Sequence, residues 1–173
     1  MRWVFQEPDK KLVEKLQSEF DTSAAIAVTM ANRGITSRDS SRDFFEPTFG
    51  QLHDPFIMKN MDQAVARILA NIQNGRPIMV FGDYDVDGTT AASILYLSLT
   101  DFGGVVNTYI PHREHEGYGL SNKGINFAAE HNIDLIITCD CGINAFEQVD
   151  YAHKRSIDVI ITDHHIPDNR LPA

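Results

Sequence analysis

The order of hydrophobic and polar positions divides the chain into a helical first part and an alternating second part. Apolar residues recur at helical spacing between positions 10 and 32, with a turn predicted near 21–23. A further short helix is predicted over 38–45, and an irregular connector follows it. We place a boundary near Leu52, and we therefore expect a helical N-terminal region over residues 1–52 and a separate domain over residues 53–173.

The second part of the chain alternates short apolar runs with segments of helical periodicity. A helix is predicted from Asn60 to Asn74. Four strands are then predicted at 78–81, 105–110, 135–138 and 159–162, with helices over 90–99, 122–130 and 145–154 between them. These strands are apolar on both faces, which is typical of parallel strands covered by helices. The predicted fold class is α/β: a doubly wound, mainly parallel sheet with helices on both faces, preceded by the small helical region.

Composition and charge narrow the class of protein. The hydrophobic content of 43% in 173 residues is ordinary for a globular chain, and no segment has the apolar length of a signal peptide or a membrane span. We therefore expect a cytoplasmic protein with no membrane partner. The net charge of −9 argues against general electrostatic coating by nucleic acid, but bound cations would permit a nucleic-acid substrate. Cys139 and Cys141 are too close in sequence for a mutual disulfide, and we interpret them as packing residues.

Acidic and imidazole side chains follow three of the four predicted strands. The carboxyl ends of parallel strands meet at one edge of a sheet, where ligands bind. We therefore expect one site to contain the residues that follow these strands, which are Asp83, Asp85, Asp87, Asp140, Asp163, His164 and His165.

The first acidic run has a spacing of two residues. In an extended segment such residues face the same side, so Asp83, Asp85 and Asp87 are predicted to project together, with Thr89 or Thr90 capping the next helix. Carboxylates at that density repel one another unless cations neutralise them, and oxygen ligands with some imidazole suit Mn²⁺ or Mg²⁺. The alternative is that these aspartates are loop formers and helix caps. We favour the metal site for the run, whereas both interpretations stay open for Asp140 alone.

Two further segments would complete such a site. Adjacent side chains of an extended segment point to opposite sides, so at most one of His164 and His165 would bind a given ion directly. The other would contact the scissile phosphate or act as an acid next to the metal ligands. In the loop of residues 111–121, Arg113 is a candidate phosphate ligand, and Tyr118 would stack on a base or pack. Two metal ions held close together could activate water and bind a phosphodiester, so we infer phosphodiester hydrolysis.

Four segments resemble the successive motifs of the DHH phosphoesterase superfamily, specifically the RecJ single-strand-specific exonucleases: residues 80–90, 111–121, 138–143 and 161–167. The resemblance implies 5′→3′ degradation of single-stranded DNA in recombination and repair, with Mn²⁺ or Mg²⁺ in a two-metal site. It also implies residue roles. The implied metal ligands are Asp83, Asp85, Asp87, Asp140 and His164; the implied catalytic residues are Asp85, Asp87, His164 and His165; the implied substrate-binding residues are Arg113 and Tyr118.

The comparison with the RecJ motifs also indicates which RecJ segments this chain lacks and which other functions its motifs would fit. RecJ proteins continue with a further metal-ligand Asp and a second domain, so we expect an incomplete second metal position, negligible activity from this chain alone, and a helicase or single-strand-binding protein as partner of the full-length protein. Oligonucleotide or cyclic-dinucleotide phosphodiesterases and pyrophosphatases of the same superfamily are an alternative, although they typically begin the first motif with a His, where this chain has Asp83. A second alternative is an inactive metal- or nucleic-acid-binding domain.

Overall fold

Within residues 2–57, the regular structure consists of helices. The computed structural model describes residues 2–172, and contacts divide the chain into the units Met1–Ile57 and Met58–Ala173. The first unit contains α1 (Lys10–Phe20), α2 (Ala24–Asn32) and α3 (Arg38–Phe45), followed by short 3-10 turns. Side chains of Asp9, Ser23 and Ser37 cap the three helices, as expected of these residue types. Its small core consists of Leu16, Ala27, Met30 and Ile35.

The second unit is built on a four-stranded parallel sheet. Its strands are β1 (Ile78–Gly82), β2 (Val106–Tyr109), β3 (Leu135–Cys139) and β4 (Asp158–Thr162), in the order β2-β1-β3-β4. Its helices are α4 (Met61–Gln73), α5 (Val86–Asp101), α6 (Asn122–Glu130) and α7 (Phe146–His153). All three strand pairs are parallel.

Helices cover both faces of this sheet. Alternate side chains of β1 and β3 enter different hydrophobic cores, as the two-residue period of a strand requires. One core combines Met79, Phe81 and Ile136 with residues of α6 and α7. The other combines Ile78, Val80, Leu135 and Ile137 with residues of α4 and α5. The α/β, doubly wound fold predicted from the sequence is confirmed.

The amino ends of β3 and β4 are joined to α4 by a network of charges. Arg67 lies 3.0 Å from the Asp134 carboxylate and 2.7 Å from that of Asp158. Arg76 also contacts Asp134, at 2.8 Å. Asn71, which is fully buried, donates to Asp134 at 2.9 Å and accepts a hydrogen bond from Arg67. Each acidic group of the network therefore has a cationic partner.

One boundary differs from the prediction in a way that affects the site. Helix α5 begins at Val86, not at residue 90, because the Asp85 side chain accepts the Gly88 amide hydrogen at 3.0 Å and caps the helix. The cap predicted at Thr89 or Thr90 is therefore wrong. Within residues 2–172, none of the helices has the length and apolar character needed to cross a membrane.

Candidate metal centre

Three neighbouring strands end at the same level. Gly82 of β1 pairs with Cys139 of β3, and Cys139 pairs with Thr162 of β4. The residue that follows each strand is an aspartate, and these residues are Asp83, Asp140 and Asp163. The parallel register therefore places three acidic residues at one edge of the sheet.

Asp83 is a buried carboxylate, with 1% of its surface exposed. Within residues 2–172 its Oδ1 atom has no hydrogen-bond partner. Gly88 permits the close approach of α5, since a Cβ at that position would lie 2.5 Å from the Asp83 amide nitrogen. Burial raises the pKa of Asp83, and the nearby carboxylates of Asp85 and Asp140 raise it further. A cation beside this group would relieve both effects.

Asp140 has a left-handed backbone conformation, with φ of 60°. The turn is held on two sides, because the Thr138 hydroxyl donates to the Cys141 carbonyl at 2.8 Å and the Asp140 amide donates to the Thr162 carbonyl at 2.9 Å. The Asp140 side chain is 9% exposed, and its Oδ1 atom has no hydrogen-bond partner in the described part of the chain. Uncommon backbone conformations that the surroundings enforce are typical of functional sites.

His164 and His165 lie on the same side of their segment. The Nε2 atom of His164 is 2.9 Å from Oδ1 of Asp140, although without the geometry of a hydrogen bond. The two imidazole centroids are 4.7 Å apart, and one potential ligand atom from each histidine and from Asp140 lies within 4.8 Å of the others. The prediction that the two rings point to opposite sides is wrong, because β4 ends at Thr162 and the chain bends at His165.

Asp163 holds the second histidine. Its Oδ1 atom accepts the His165 amide hydrogen at 3.0 Å and lies 2.7 Å from Nδ1 of the same residue, while Oδ2 accepts the Ile143 amide hydrogen at 3.0 Å. Burial acts to raise the pKa of Asp163, but these hydrogen bonds outweigh it and lower that pKa. The hydrogen bond from Asp163 raises the pKa of His165. A carboxylate in contact with one imidazole nitrogen leaves the other nitrogen available to a metal ion.

The loop between β2 and α6 reaches the same edge. Tyr118 donates its hydroxyl hydrogen to the Asp140 carbonyl at 3.0 Å, and the same oxygen lies 3.2 Å from Nδ1 of His165. Burial, with the negative charge of Asp163 next in importance, raises the pKa of Tyr118 to about 12, so the hydroxyl keeps its proton at neutral pH. Arg113 is exposed, and its guanidinium carbon lies 5.2 Å from the centre of the Tyr84 ring.

Glu116 fixes the shape of this loop, a role that the sequence did not indicate. It accepts hydrogen bonds from the Tyr109 hydroxyl at 2.8 Å, the Ser121 hydroxyl at 2.7 Å and the His112 amide at 3.0 Å. Burial acts to raise the pKa of Glu116, but the hydrogen bonds lower it. The only sequence signal was a carboxylate inside a loop that also carries Arg113 and Tyr118.

Asp85 and Asp87 are placed differently from the prediction. The acidic run is not extended, because Asp85 is the N-cap of α5 and Asp87 lies in the first helical turn. Both side chains are exposed, and the described ligand cluster of Asp140, His164 and His165 includes neither of them. The expectation that all three aspartates of the run face one side of a strand is therefore wrong, and the ligand roles of Asp85 and Asp87 stay predictions.

The donor atoms fit a divalent cation. Two buried carboxylate oxygens without hydrogen-bond partners, on Asp83 and Asp140, are costly unless a positive charge compensates them. Carboxylate oxygen with some imidazole nitrogen suits Mn²⁺ and Mg²⁺ better than a thiolate site would. Cys139 and Cys141 are buried, and burial raises the pKa of both thiols, which agrees with a packing role.

A cleft of about 540 Å³ adjoins the histidine segment. Its lining includes Tyr118, Gly142, Asn144, Gln148 and His165. A substrate next to the proposed cation would therefore meet an aromatic ring and two side-chain amides.

Comparisons with known proteins agree with this architecture. Residues 77–173, more than half of the chain, match the family model described as the DHH family, N-terminal domain. The chain is 38% identical to the single-stranded-DNA-specific exonuclease RecJ of Bacillus subtilis over 172 residues, which cover 99% of this chain and 22% of that protein. The RecJ of Dickeya dadantii is 36% identical over 83% of this chain and 24% of its own length. The chain thus spans between a fifth and a quarter of the length of these relatives.

Solved structures of RecJ proteins also match this chain. A crystal structure of exonuclease RecJ bound to manganese matches 66% of this chain and 30% of its own, with 36% identity and a TM-score of 0.62. A structure of RecJ from Thermus thermophilus in complex with Mn²⁺ matches 95% of this chain and 22% of its own, with 27% identity and a TM-score of 0.65. The chain therefore belongs to the DHH family.

Proposed function

We propose that this chain supplies the divalent-metal centre of a 5′→3′ exonuclease that acts on single-stranded DNA. The observation that carries the proposal is the pair of buried carboxylate oxygens without hydrogen-bond partners, one on Asp83 and one on Asp140. The Asp140 carboxylate also lies beside the imidazoles of His164 and His165. It is supported by relatives named as single-stranded-DNA-specific exonucleases and by related structures bound to manganese. The cofactor is accordingly Mn²⁺ or Mg²⁺.

The metal ligands fall into two groups. Asp83, Asp140 and His164 hold one cation, since His164 already lies 2.9 Å from Asp140. Asp85 and Asp87, at the start of α5, contribute to a second position, and the electrostatic effect of Asp85 on Asp83 supports its proximity. The second position has fewer described donors than the first, so we expect it to be occupied more weakly.

The remaining residues orient the substrate and the imidazoles. Asp163 holds Nδ1 of His165, so its Nε2 is available to a cation or a phosphate oxygen. Tyr118 fixes both the Asp140 main chain and the His165 ring. Arg113 is exposed at the same edge and offers a planar donor pair to a phosphate. A bound divalent cation would supply a nucleophilic water at neutral pH and neutralise phosphate charge.

The biological context follows from the family. We infer recombination and repair as the process, the cytoplasm as the location, and a helicase or single-strand-binding protein as a partner of the whole protein. Residues 1–52 and 53–173 would act as separate domains. Because this chain corresponds to less than a quarter of its relatives, we expect its own turnover to be negligible.

Binding is therefore the first test of substrate class. Fluorescence anisotropy with this chain and Mn²⁺ would compare a 5′-phosphorylated single strand of about 20 nucleotides, the same sequence as a duplex, and a dinucleotide, a length chosen to exceed one site. We expect the single strand to bind best and chelation of Mn²⁺ to weaken binding. Preference for the dinucleotide would instead favour the alternative function, an oligonucleotide phosphodiesterase. Binding with the same affinity in the presence and absence of Mn²⁺ would contradict the metal centre.

Two variants make this test specific. Asp140→Asn removes a proposed ligand and should abolish the Mn²⁺-dependent part of single-strand binding. Asp150→Asn removes an exposed carboxylate from α7 and should leave that part unchanged.

A further inference from the structure

Asn144 connects the two loops that carry the proposed metal ligands. It lies in the turn after β3, four residues beyond Asp140. Its Nδ2 atom donates to the Ile166 carbonyl at 3.2 Å, and its Oδ1 atom accepts the Asp168 amide hydrogen at 2.8 Å. One side chain therefore satisfies two main-chain groups of the segment that follows the histidines.

Apart from Asn144, this segment is attached through Arg170, whose guanidinium carbon lies 4.5 Å from the centre of the Phe146 ring. Strand β4 ends at Thr162, so the sheet ladder does not extend to residues 166–168. Ile166 is 89% exposed and gives no hydrophobic anchor. Pro167 has no amide hydrogen, so it cannot donate a main-chain hydrogen bond and the Asp168 amide is the next donor along the segment. The Asn144 side chain pairs with this donor.

Two neighbouring residues of the β3 turn thus hold both ends of the histidine pair. On the near side, the Ile143 amide donates to Asp163 at 3.0 Å. On the far side, Asn144 binds the main chain at 166 and 168. His164 and His165 lie between these attachments, opposite Asp140, which belongs to the same turn as Asn144.

We propose that Asn144 is a positioning residue that holds His164 and His165 against Asp140. The inference rests on the metal centre proposed above. Asn144 is itself exposed and is not among the clustered ligands, so it acts through the segment that it binds. Residues that support metal ligands in this way typically change metal affinity about 10- to 100-fold when they are removed.

Metal affinity is the first measurement. Calorimetric titration of Mn²⁺ would compare the unaltered chain with Asn144→Ala and with Asn144→Leu, which keeps most of the volume but removes both polar atoms. We expect the dissociation constant to rise about tenfold in both variants. The matched control is Asn74→Ala, which also removes an exposed side-chain amide that binds main chain, at the end of α4, and should leave the affinity unchanged.

The second measurement needs no metal. NMR contacts between the rings of His164 and His165, 4.7 Å apart, and of His165 and Tyr118, 5.9 Å apart, report the position of the histidines in the folded chain. We expect these contacts to weaken in the Asn144 variants and to persist in Asn74→Ala. A general loss of stability would lower the melting temperature without changing ring contacts in the folded state.

The two measurements separate this inference from the proposed function. If the unaltered chain does not bind Mn²⁺, the metal centre fails, and the ring contacts alone decide whether Asn144 positions the histidines. If the unaltered chain binds Mn²⁺ and the Asn144 variants bind it equally well, the positioning role is overturned. Weaker binding with unchanged ring contacts would overturn it as well, because the effect would not pass through the histidines.

Discussion

Asp134, just before β3, and Asp140, just after it, are acidic side chains of similar exposure in different electrostatic surroundings. At the amino end, Asp134 is 14% exposed and contacts Arg67 at 3.0 Å and Arg76 at 2.8 Å. At the carboxyl end, the Asp140 side chain is 9% exposed, yet its Oδ1 atom has no hydrogen-bond partner in residues 2–172. Burial is similar at both ends, so it does not distinguish a structural carboxylate from a functional one. The partners do.

The pKa values of Asp134 and Asp83 move in opposite directions because the two carboxylates have different neighbours. At the amino end, burial acts to raise the pKa of Asp134, but the hydrogen bonds from Asn71 and Arg67 and the nearby positive charges outweigh it and lower that pKa. At the carboxyl end, burial and two further carboxylates raise the pKa of Asp83. Asp134 finds its partners within the protein, whereas Asp83 and Asp140 each keep a carboxylate oxygen without a hydrogen-bond partner, which a cation would compensate.

Arg67→Ala should give the largest effect on stability. It removes a cationic partner from the largely buried carboxylate of Asp134 and from the exposed carboxylate of Asp158, and it removes the donor to the buried amide of Asn71. We expect the free energy of unfolding to fall by about 3 kcal/mol in urea denaturation, with Mn²⁺ affinity of the folded chain unchanged. Arg76→Ala is the matched control, since Arg76 is more exposed and makes one ion pair, and it should cost about 1 kcal/mol or less. Loss of Mn²⁺ binding in folded Arg67→Ala would show that the two ends are not independent.

Asp140→Asn should have the opposite effects: Mn²⁺ affinity should fall and stability should be retained. Asparagine tolerates the left-handed conformation that Asp140 adopts, so the fold should be retained. We expect Mn²⁺ affinity to fall at least about 100-fold, equivalent to about 2.7 kcal/mol, with no loss of stability in the absence of metal. Calorimetry and urea denaturation measure the two quantities. An unchanged affinity would remove Asp140 from the proposed ligands.

Asp163→Asn should have an intermediate effect, because Asp163 acts through His165. The variant loses the charged acceptor that raises the pKa of His165, so NMR titration should show a lower His165 pKa than in the unaltered chain. Mn²⁺ affinity should fall about tenfold. A His165 pKa that does not change would contradict the assigned contact between the two side chains.

Asp134 and Asp83 should contribute to the pH dependence of stability with opposite signs. Asp134 has a lowered pKa in the folded state, so its contribution is present above its ordinary pKa and is lost as the pH falls through the folded value. Asp83 has a raised pKa, so its ionisation costs stability as the pH rises from its ordinary value through the folded one. At neutral pH without metal, Asp134→Asn should destabilise the chain and Asp83→Asn should stabilise it by about 1 kcal/mol. The changes in unfolding free energy caused by the two substitutions should both become smaller below the ordinary aspartate pKa. If both substitutions changed stability in the same direction at neutral pH, the proposed difference between Asp134 and Asp83 would be refuted.

The fold was largely predictable because its elements follow local patterns. The central strands β1 and β3 are buried throughout, β2 and β4 are only partly buried, and each predicted strand differs from the observed one by at most one residue at either end. The exception is the start of α5. The two-residue alternation of the acidic run predicted an extended segment there, but Asp85 caps the helix and the helix begins at Val86. The sequence of residues 83–87 is compatible with a helix start and with an extended segment, and the alternation of acidic residues alone does not distinguish the two.

The site was predictable in location but not in geometry. Carboxylates and histidines after strand ends indicated the edge of the sheet, and the level ends of β1, β3 and β4 place them there. The hydrogen bonds of Glu116 and Asn144 could not be predicted, since several of their partners are main-chain groups. The shared orientation of His164 and His165 depends on a bend after β4 that no residue pattern indicated.

The most direct test of the metal centre is anomalous diffraction from crystals of this chain grown with Mn²⁺. We predict an anomalous peak at the carboxyl end of the sheet, bound by the Asp140 carboxylate and a His164 nitrogen, with Asp83 adjacent. A peak only at the amino end, beside Asp134 and Asp158, or no peak within reach of Asp140 at saturating Mn²⁺, would contradict it.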